Sequence, residues 1–404
     1  MKYLVLLADG AADYPIEELG GRTPLEAAHT PYLDSLAPES RMGMLETVPA
    51  DMPPGSEVAN LAVLGYDVHA VYQGRGVLEA ASMGVDLADR DLAMRCNLIS
   101  LLSDGTIKNH SAGHISSAEA AQLIDALNGH FRDEDFSFFP GVSYRHLFVL
   151  PKGSDKIECT PPHDVPGFPF QDYLVRAQIP DGQHTALLLN KIILESQQVL
   201  ENHPVNKERV RRGKDPANSV WFWSQGYRPK MESYQQLFGK SGSVISAVDL
   251  IFGIGVYAGL DVIHVEGATG LYDTNYEGKA EAALQQLKSR DFVFLHVEAS
   301  DEAGHEGDAQ LKVKTIEYFD GRLLKTILKS IDSVGDEVAI AILPDHPTPC
   351  ALKTHVHDSV PFMIRTPGIA GDGISRYTEQ FAQSGSFGWR KGTEFIRIMF
   401  GMID

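Results

Sequence analysis

Short apolar runs rich in β-branched residues recur in the two terminal parts of this chain, and stretches with helical spacing of apolar positions lie between them. YLVLLA at 3–8, GSVISAV at 242–248, DVIHVEG at 261–267, FVFLHVE at 292–298 and VAIAIL at 338–343 predict strands. SEVANLAVLGYD from Ser56, a glycine-containing segment after GSVISAV, a stretch after Glu277 and another from about Leu311 predict helices. Such alternation predicts an α/β fold with a doubly wound, mostly parallel sheet. From about Leu92 the pattern changes. RCNLISLLSDGTI predicts a hairpin turning at Asp104-Gly105, and SSAEAAQLIDALNGHF an amphipathic helix capped by Ser116 or Ser117 with Glu119 in its first turn. FSFFPGVSYRHLFVLP predicts two strands joined at Pro140-Gly141. Residues 151–185 show little periodicity, a helix follows over about 186–201, and KERVRRGK at 207–214 reads as a solvated helix face. The expected organisation is a core of residues 1–85 and 220–404 interrupted by an α+β domain at 86–219, with Trp221, Phe222 and Trp223 as core at the junction.

Composition narrows the function classes. The 404 residues are 43% hydrophobic and 22% charged, ordinary for a globular protein, with a formal net charge of −19. A generic nucleic-acid or anionic-membrane binder needs a cationic surface, so neither partner is expected. An anionic substrate would need cations supplied locally, by metal ions or by arginine and lysine. Cys96, Cys159 and Cys350 form no CxxC pair and suggest a reducing compartment. The apolar run before Asp9 is too short for a signal-peptide core, and no window reaches transmembrane length; a cytoplasmic protein is expected.

The chemistry gathers where strands end. YLVLLA runs into Asp9, FVFLHVEAS into Asp301 and VAIAILP into Asp345. Ligands of α/β sheets usually bind at such carboxyl edges. Companions lie close by: His305 four residues after Asp301, His346 beside Asp345, and His355 in the loop that follows. Asp301 and His305 share a face if that segment is helical. Ser56 stands where a Pro/Gly-rich loop enters a helix, which is also where a simple cap would stand. Together these groups offer mixed oxygen and nitrogen ligation for two divalent cations, Mn²⁺, Mg²⁺ or Zn²⁺, beside a hydroxyl nucleophile. That combination suits phosphoryl transfer.

The pieces LLADG, PGSEVANLAVLGYD, GRGVLEAASMG, NHSAGHIS, EGATGLYDTNYEGKA, DEAGHEGD and PDHPTPCALKTHVHDSVP span nearly the whole chain. In this order they resemble the cofactor-independent phosphoglycerate mutases, archaeal-type branch, of the alkaline phosphatase superfamily. The resemblance implies an alkaline phosphatase-like core, a substrate-binding cap, and interconversion of 2- and 3-phosphoglycerate through a phosphoserine, without 2,3-bisphosphoglycerate. It implies Ser56 as nucleophile, Asp9, Ser56, Asp345 and His346 around one ion, and Asp301, His305 and His355 around the other. His357 is the alternative to His355; spacing to Val360-Pro361 favours His355, although Ser359 replaces a proline of the family pattern. It further implies His114 at the glycerate hydroxyls and Lys279 at the phosphate. Arg75 and Arg145 are candidates to clamp the carboxylate or phosphate of a small phosphorylated hydroxy acid. The same centre could serve another acceptor, as in a homoserine kinase or a phosphatase. Ser224 stands where the family segment has glycine. Oligomeric state is not legible.

Overall fold

The computed structural model describes residues 1–404. The chain divides into two compact units, Met1–Tyr72 with Lys230–Asp404, and Gln73–Pro229.

The first unit is built on an eight-stranded sheet. Its strand order is Asp261–Ile263, Gly242–Ile245, Phe292–Val297, Lys2–Ala8, Val338–Leu343, Val360–Arg365, Arg41–Glu46 and Gly388–Lys391. All pairings are parallel except the two made by Val360–Arg365, so the sheet is mostly parallel, as expected. Lys2–Ala8 lies between Phe292–Val297 and Val338–Leu343, in register so that Ala8 faces Val297 and Leu7 faces Leu343. All six residues of Phe292–Val297 and of Val338–Leu343 are buried, which is why these strands read as unbroken apolar runs. The parallel register brings the three strand ends, and hence Asp9, Asp301 and Asp345, to one rim. Helices Tyr276–Leu287 and Ala309–Tyr318 contribute Tyr276, Ala280, Leu284 and Ile316 to the core of this sheet.

The second unit has its own core around an antiparallel sheet. Strand Asp91–Leu101 pairs with Arg145–Pro151 on one side and Ser219–Gly226 on the other. The hairpin to Ile107–Asn109 turns at Asp104-Gly105, with Gly105 at φ 86. Helix Ser117–His130 is capped by Ser116 in a reciprocal box with Glu119. Phe138, Phe148, Trp221 and Phe222 pack at its centre.

The sequence boundaries 86–219 are too narrow for this unit. Helix Arg75–Ser82 and strand Ser219–Gly226 belong to it, because the helix packs on both Asp91–Leu101 and Ser219–Gly226. Trp221 and Phe222 are core as expected, but Trp223 is half-buried, with Nε1 donating to Asn97 Oδ1 at 3.0 Å. The basic stretch is not all solvated either. Arg209 is buried and bonded to Glu119, the Ala112 carbonyl and the Asp215 carbonyl, whereas Arg211 and Arg212 lie outside on Glu208. No helix is long and apolar enough to cross a membrane.

Candidate active site

Asp9, Asp345, His346 and Ser56 converge. His346 Nε2 lies 3.1 Å from Ser56 Oγ, 3.4 Å from Asp345 Oδ2 and 3.6 Å from Asp9 Oδ1. Ser56 is the first residue of helix Ser56–Val63, after Gly55 in extended conformation, so its hydroxyl stands with the free N–H groups of the first turn. Four residues on, Asn60 Nδ2 donates to the Ser56 carbonyl and to Asp345 Oδ2, both at 2.8 Å, which ties helix Ser56–Val63 to the Asp345 carboxylate. Asp345 Oδ1 accepts N–H bonds from Gly10 and His346.

A second group adjoins the first. Asp301 and His305 lie one turn apart on helix Ala299–Glu306, with His305 Nε2 3.2 Å from Asp301 Oδ2. His355 Nε2 is 2.9 Å from His305 Nε2 and 3.4 Å from Asp301 Oδ1. His346 is within reach of this group too. His357 is turned away, bonded to the Met52 carbonyl at 2.8 Å, so the structure brings His355 and not His357 to the cluster.

Several features fit divalent cations at both groups. Asp9 Oδ1 is buried with no hydrogen-bond partner. Burial, and then the neighbouring Asp345 and Asp301 carboxylates, drive the Asp9 pKa well above the ordinary range, a repulsion that a cation removes. Against the opposing effect of burial, hydrogen bonds from His305 and His355 hold Asp301 well below that range. The bond to Asp301 in turn pushes His305 up to about 9. His305 Nε2 and His355 Nε2 face each other across 2.9 Å and both lie against the Asp301 carboxylate, so possible ligand atoms of three residues converge. The backbone leaves room by design: at Gly10, with φ +62, a Cβ would lie 2.6 Å from Asp301 Oδ1 and 2.7 Å from Thr348 Oγ1.

Other side chains hold these groups in place. Thr348 Oγ1 donates to Asp301 Oδ1 and contacts His346 Nδ1 at 3.2 Å. Lys312 is fully buried, with its ammonium on Asp13 Oδ2 and on the Ala12 and Thr348 carbonyls, and so clamps the Asp9 loop to the Asp345 loop. His296 Nε2 lies 2.8 Å from Asp9 Oδ2. None of these was singled out from sequence, although a histidine inside the apolar strand FVFLHVE was a legible signal. Lys279 is buried on the same side, donating to the His296 carbonyl at 3.1 Å. Burial lowers its pKa to about 8.

The remaining sequence candidates, Arg75, His114 and Arg145, lie in the second unit. His114 is exposed, at φ 51 in a run of left-handed residues with Ala112 and Gly113, its ring edge-on to Tyr144 at 6.2 Å. His110 and His163 extend this aromatic group to Trp223. Arg95 lies over Trp223 at 4.4 Å and pairs with Glu79 at 2.9 Å. Burial lowers its pKa, Glu79 opposes this, and the positive charges of Arg75 and Arg145 add to the lowering. Ser224, in place of the family's glycine, has φ 54, the region glycine favours, and its Oγ accepts the Arg75 N–H at 3.0 Å.

Comparison with known proteins decides the family. A mutase of Methanosarcina acetivorans named 2,3-bisphosphoglycerate-independent phosphoglycerate mutase is 54% identical over 99% of both chains. The chain belongs to the 2,3-bisphosphoglycerate-independent phosphoglycerate mutases. The family model with that description matches residues 37–206. Two solved structures agree in fold along the whole chain. A protein of Pyrococcus horikoshii has TM-score 0.83 and 32% identity, covering 100% of this chain and 98% of its own. A cofactor-independent phosphoglycerate mutase of Thermoplasma acidophilum has TM-score 0.70 and 29% identity, covering 100% of both.

Proposed function

We propose that this chain interconverts 2- and 3-phosphoglycerate by passing the phosphoryl group through Ser56. The carrying observation is the Ser56 hydroxyl 3.1 Å from His346 Nε2, beside two convergent carboxylate–imidazole groups, in a chain of this family. Asp9, Ser56, Asp345 and His346 would hold one divalent ion and Asp301, His305 and His355 the other, Mn²⁺ or Mg²⁺ first and Zn²⁺ as a further fit to the mixed donors. When bound, the pair neutralises the phosphoryl oxygens and lowers the pKa of the serine hydroxyl.

In the first half-reaction the ionised Ser56 Oγ bonds to phosphorus as the ester bond to the glycerate oxygen breaks, and that oxygen takes up a proton. The glycerate then reorients. Its other hydroxyl gives up a proton and attacks the phosphoserine, and Ser56 Oγ leaves. No proton or phosphate is gained or lost over the cycle. The helix N-terminus at Ser56 supplies N–H donors to the transferring group. His114 is the proposed carrier of the hydroxyl proton and Lys279 a phosphate partner. Arg75 and Arg145 are the proposed anion clamps, on a second unit that acts as the substrate-holding cap. Transfer to homoserine or to water is not favoured, since full-length relatives carry the mutase name.

The test is purified protein, stripped with chelator and resupplied with Mn²⁺, given 3-phosphoglycerate in an enolase-coupled assay. Rapid Mn²⁺-dependent turnover is expected. Release of inorganic phosphate without 2-phosphoglycerate, or ATP-dependent phosphorylation of homoserine in its place, would overturn the mutase reading.

A further inference from the structure

The carboxylate of Asp9 is asymmetric in its surroundings. Oδ1 is buried without a hydrogen-bond partner and faces His346, while Oδ2 takes a 2.8 Å bond from His296 Nε2. His296 is fully buried in the strand next to Lys2–Ala8. The other ring nitrogen, Nδ1, lies 3.1 Å from Ser246 Oγ, which also accepts the Val248 N–H at 3.1 Å. The directions follow from the chemistry of each group. With Asp9 an ionised metal ligand its carboxylate only accepts, so Nε2 carries the proton and Nδ1 accepts from the Ser246 hydroxyl. The strand end is fixed as well, by Lys279 Nζ on the His296 carbonyl and by the Asp9 N–H on the Val297 carbonyl.

We infer that the Ser246–His296–Asp9 relay is a positioning device that keeps Asp9 a one-oxygen ligand and thereby sets which cation the centre prefers. This rests on the reading of Asp9 as a metal ligand. With Oδ2 held by His296, Asp9 offers Oδ1 alone. A small ion with strict geometry accepts one oxygen per carboxylate, whereas Ca²⁺ readily takes both in a looser shell of more oxygens. The relay therefore favours Mn²⁺ or Mg²⁺ over Ca²⁺. Partners that orient ligands in this way are worth about 10–100-fold in metal affinity.

The experiment is titration of chelator-stripped full-length protein with Mn²⁺ and, separately, with Ca²⁺, for wild type, Ser246→Ala, His296→Leu and His296→Gln, each checked for folding by circular dichroism. His296→Leu should bind Mn²⁺ about 10–100-fold more weakly and lose much of the Mn²⁺-over-Ca²⁺ preference. His296→Gln, whose amide can still donate to Asp9, should recover most of both. Ser246→Ala, which frees the ring to change tautomer, should fall between. If His296→Leu does not fold, Ser246→Ala and His296→Gln still decide the matter. Unchanged Mn²⁺ affinity in Ser246→Ala and the folded His296 variants would overturn the inference. An equal weakening of both ions, leaving their ratio intact, would also overturn it, since that is what a merely structural role gives. Failure of the wild type to bind Mn²⁺ would instead overturn the centre itself.

Discussion

Two groups of histidines in this chain are held in opposite ways. At the rim of the parallel sheet, His296 and His346 are fully buried, and His305 and His355 are half-buried with nitrogens fixed on Asp301 and on each other. In the second unit His114 and His163 are exposed, and the recorded ring neighbours of His110, His114 and His163 are edge-on aromatics at 5–6 Å. The second unit is not uniform in this: its Arg95 is buried on Glu79 and Trp223, while its Arg145 is exposed. Stabilising charge as it develops needs donors that do not move, because reorganisation at that moment raises the barrier. Holding and turning a small anion needs side chains that adapt. The histidines at the parallel-sheet rim are thus held fixed, while His114, His163 and Arg145 of the second unit are exposed, which suits the separate roles proposed for the two.

Substitutions can break that contrast at either end. The largest effect is expected at Ser56→Ala, which should lower turnover by roughly 10³-fold or more while the protein still binds Mn²⁺. Mutase assay and metal titration of one preparation check both halves; turnover near wild type would remove Ser56 from the chemistry. Lys312→Met should come next. It leaves Asp13 buried without its cation and loosens both ligand loops, at a cost of about 3–5 kcal/mol in denaturant unfolding.

A smaller, pH-dependent effect belongs to the second unit. His146 is buried, with Nδ1 accepting the Gly141 N–H at 3.0 Å, and burial pushes its pKa down to about 4. The folded pKa is below the unfolded value of about 6.5, so the stabilisation is full above that value and is lost as pH falls toward 4. The loss amounts to about 3 kcal/mol. Urea unfolding of the second unit between pH 7 and pH 4 should show this slope in wild type and not in His146→Asn. The smallest effect is expected at Arg145→Ala: KM for phosphoglycerate should rise roughly tenfold, since a hydrogen bond to a charged group is lost, with thermal stability unchanged. An unchanged KM would remove Arg145 from the substrate.

The sequence carried the fixed half of this contrast better than the adaptable half. Buried parallel strands are unbroken apolar runs, so Lys2–Ala8, Phe292–Val297 and Val338–Leu343 and the carboxylates at their ends were legible. The i,i+4 spacing of Asp301 and His305 was legible for the same reason, a fixed helical period. Strands Arg41–Glu46, Val360–Arg365 and Gly388–Lys391 were not foreseen; they contain glycine or proline and lie toward one edge of the sheet, where the apolar signal is weak. The supporting partners were invisible because they come from distant segments: Asn60 reaches Asp345, Thr348 reaches Asp301, and Lys312 reaches Asp13 only in three dimensions. The grouping of Arg75, Arg95 and Arg145 depends on how a helix packs on its sheet, which no local pattern encodes.

The central claim is that the phosphoryl group rests on Ser56 between its two positions on the glycerate. The direct measurement is acid quench of the Mn²⁺-loaded enzyme during turnover of 3-phosphoglycerate, followed by peptide mass spectrometry. The account predicts a phosphate on the peptide containing Ser56, absent from Ser56→Ala and from chelated enzyme. Phosphate on another residue, or full turnover with Ser56 never phosphorylated at any quench time, would contradict it.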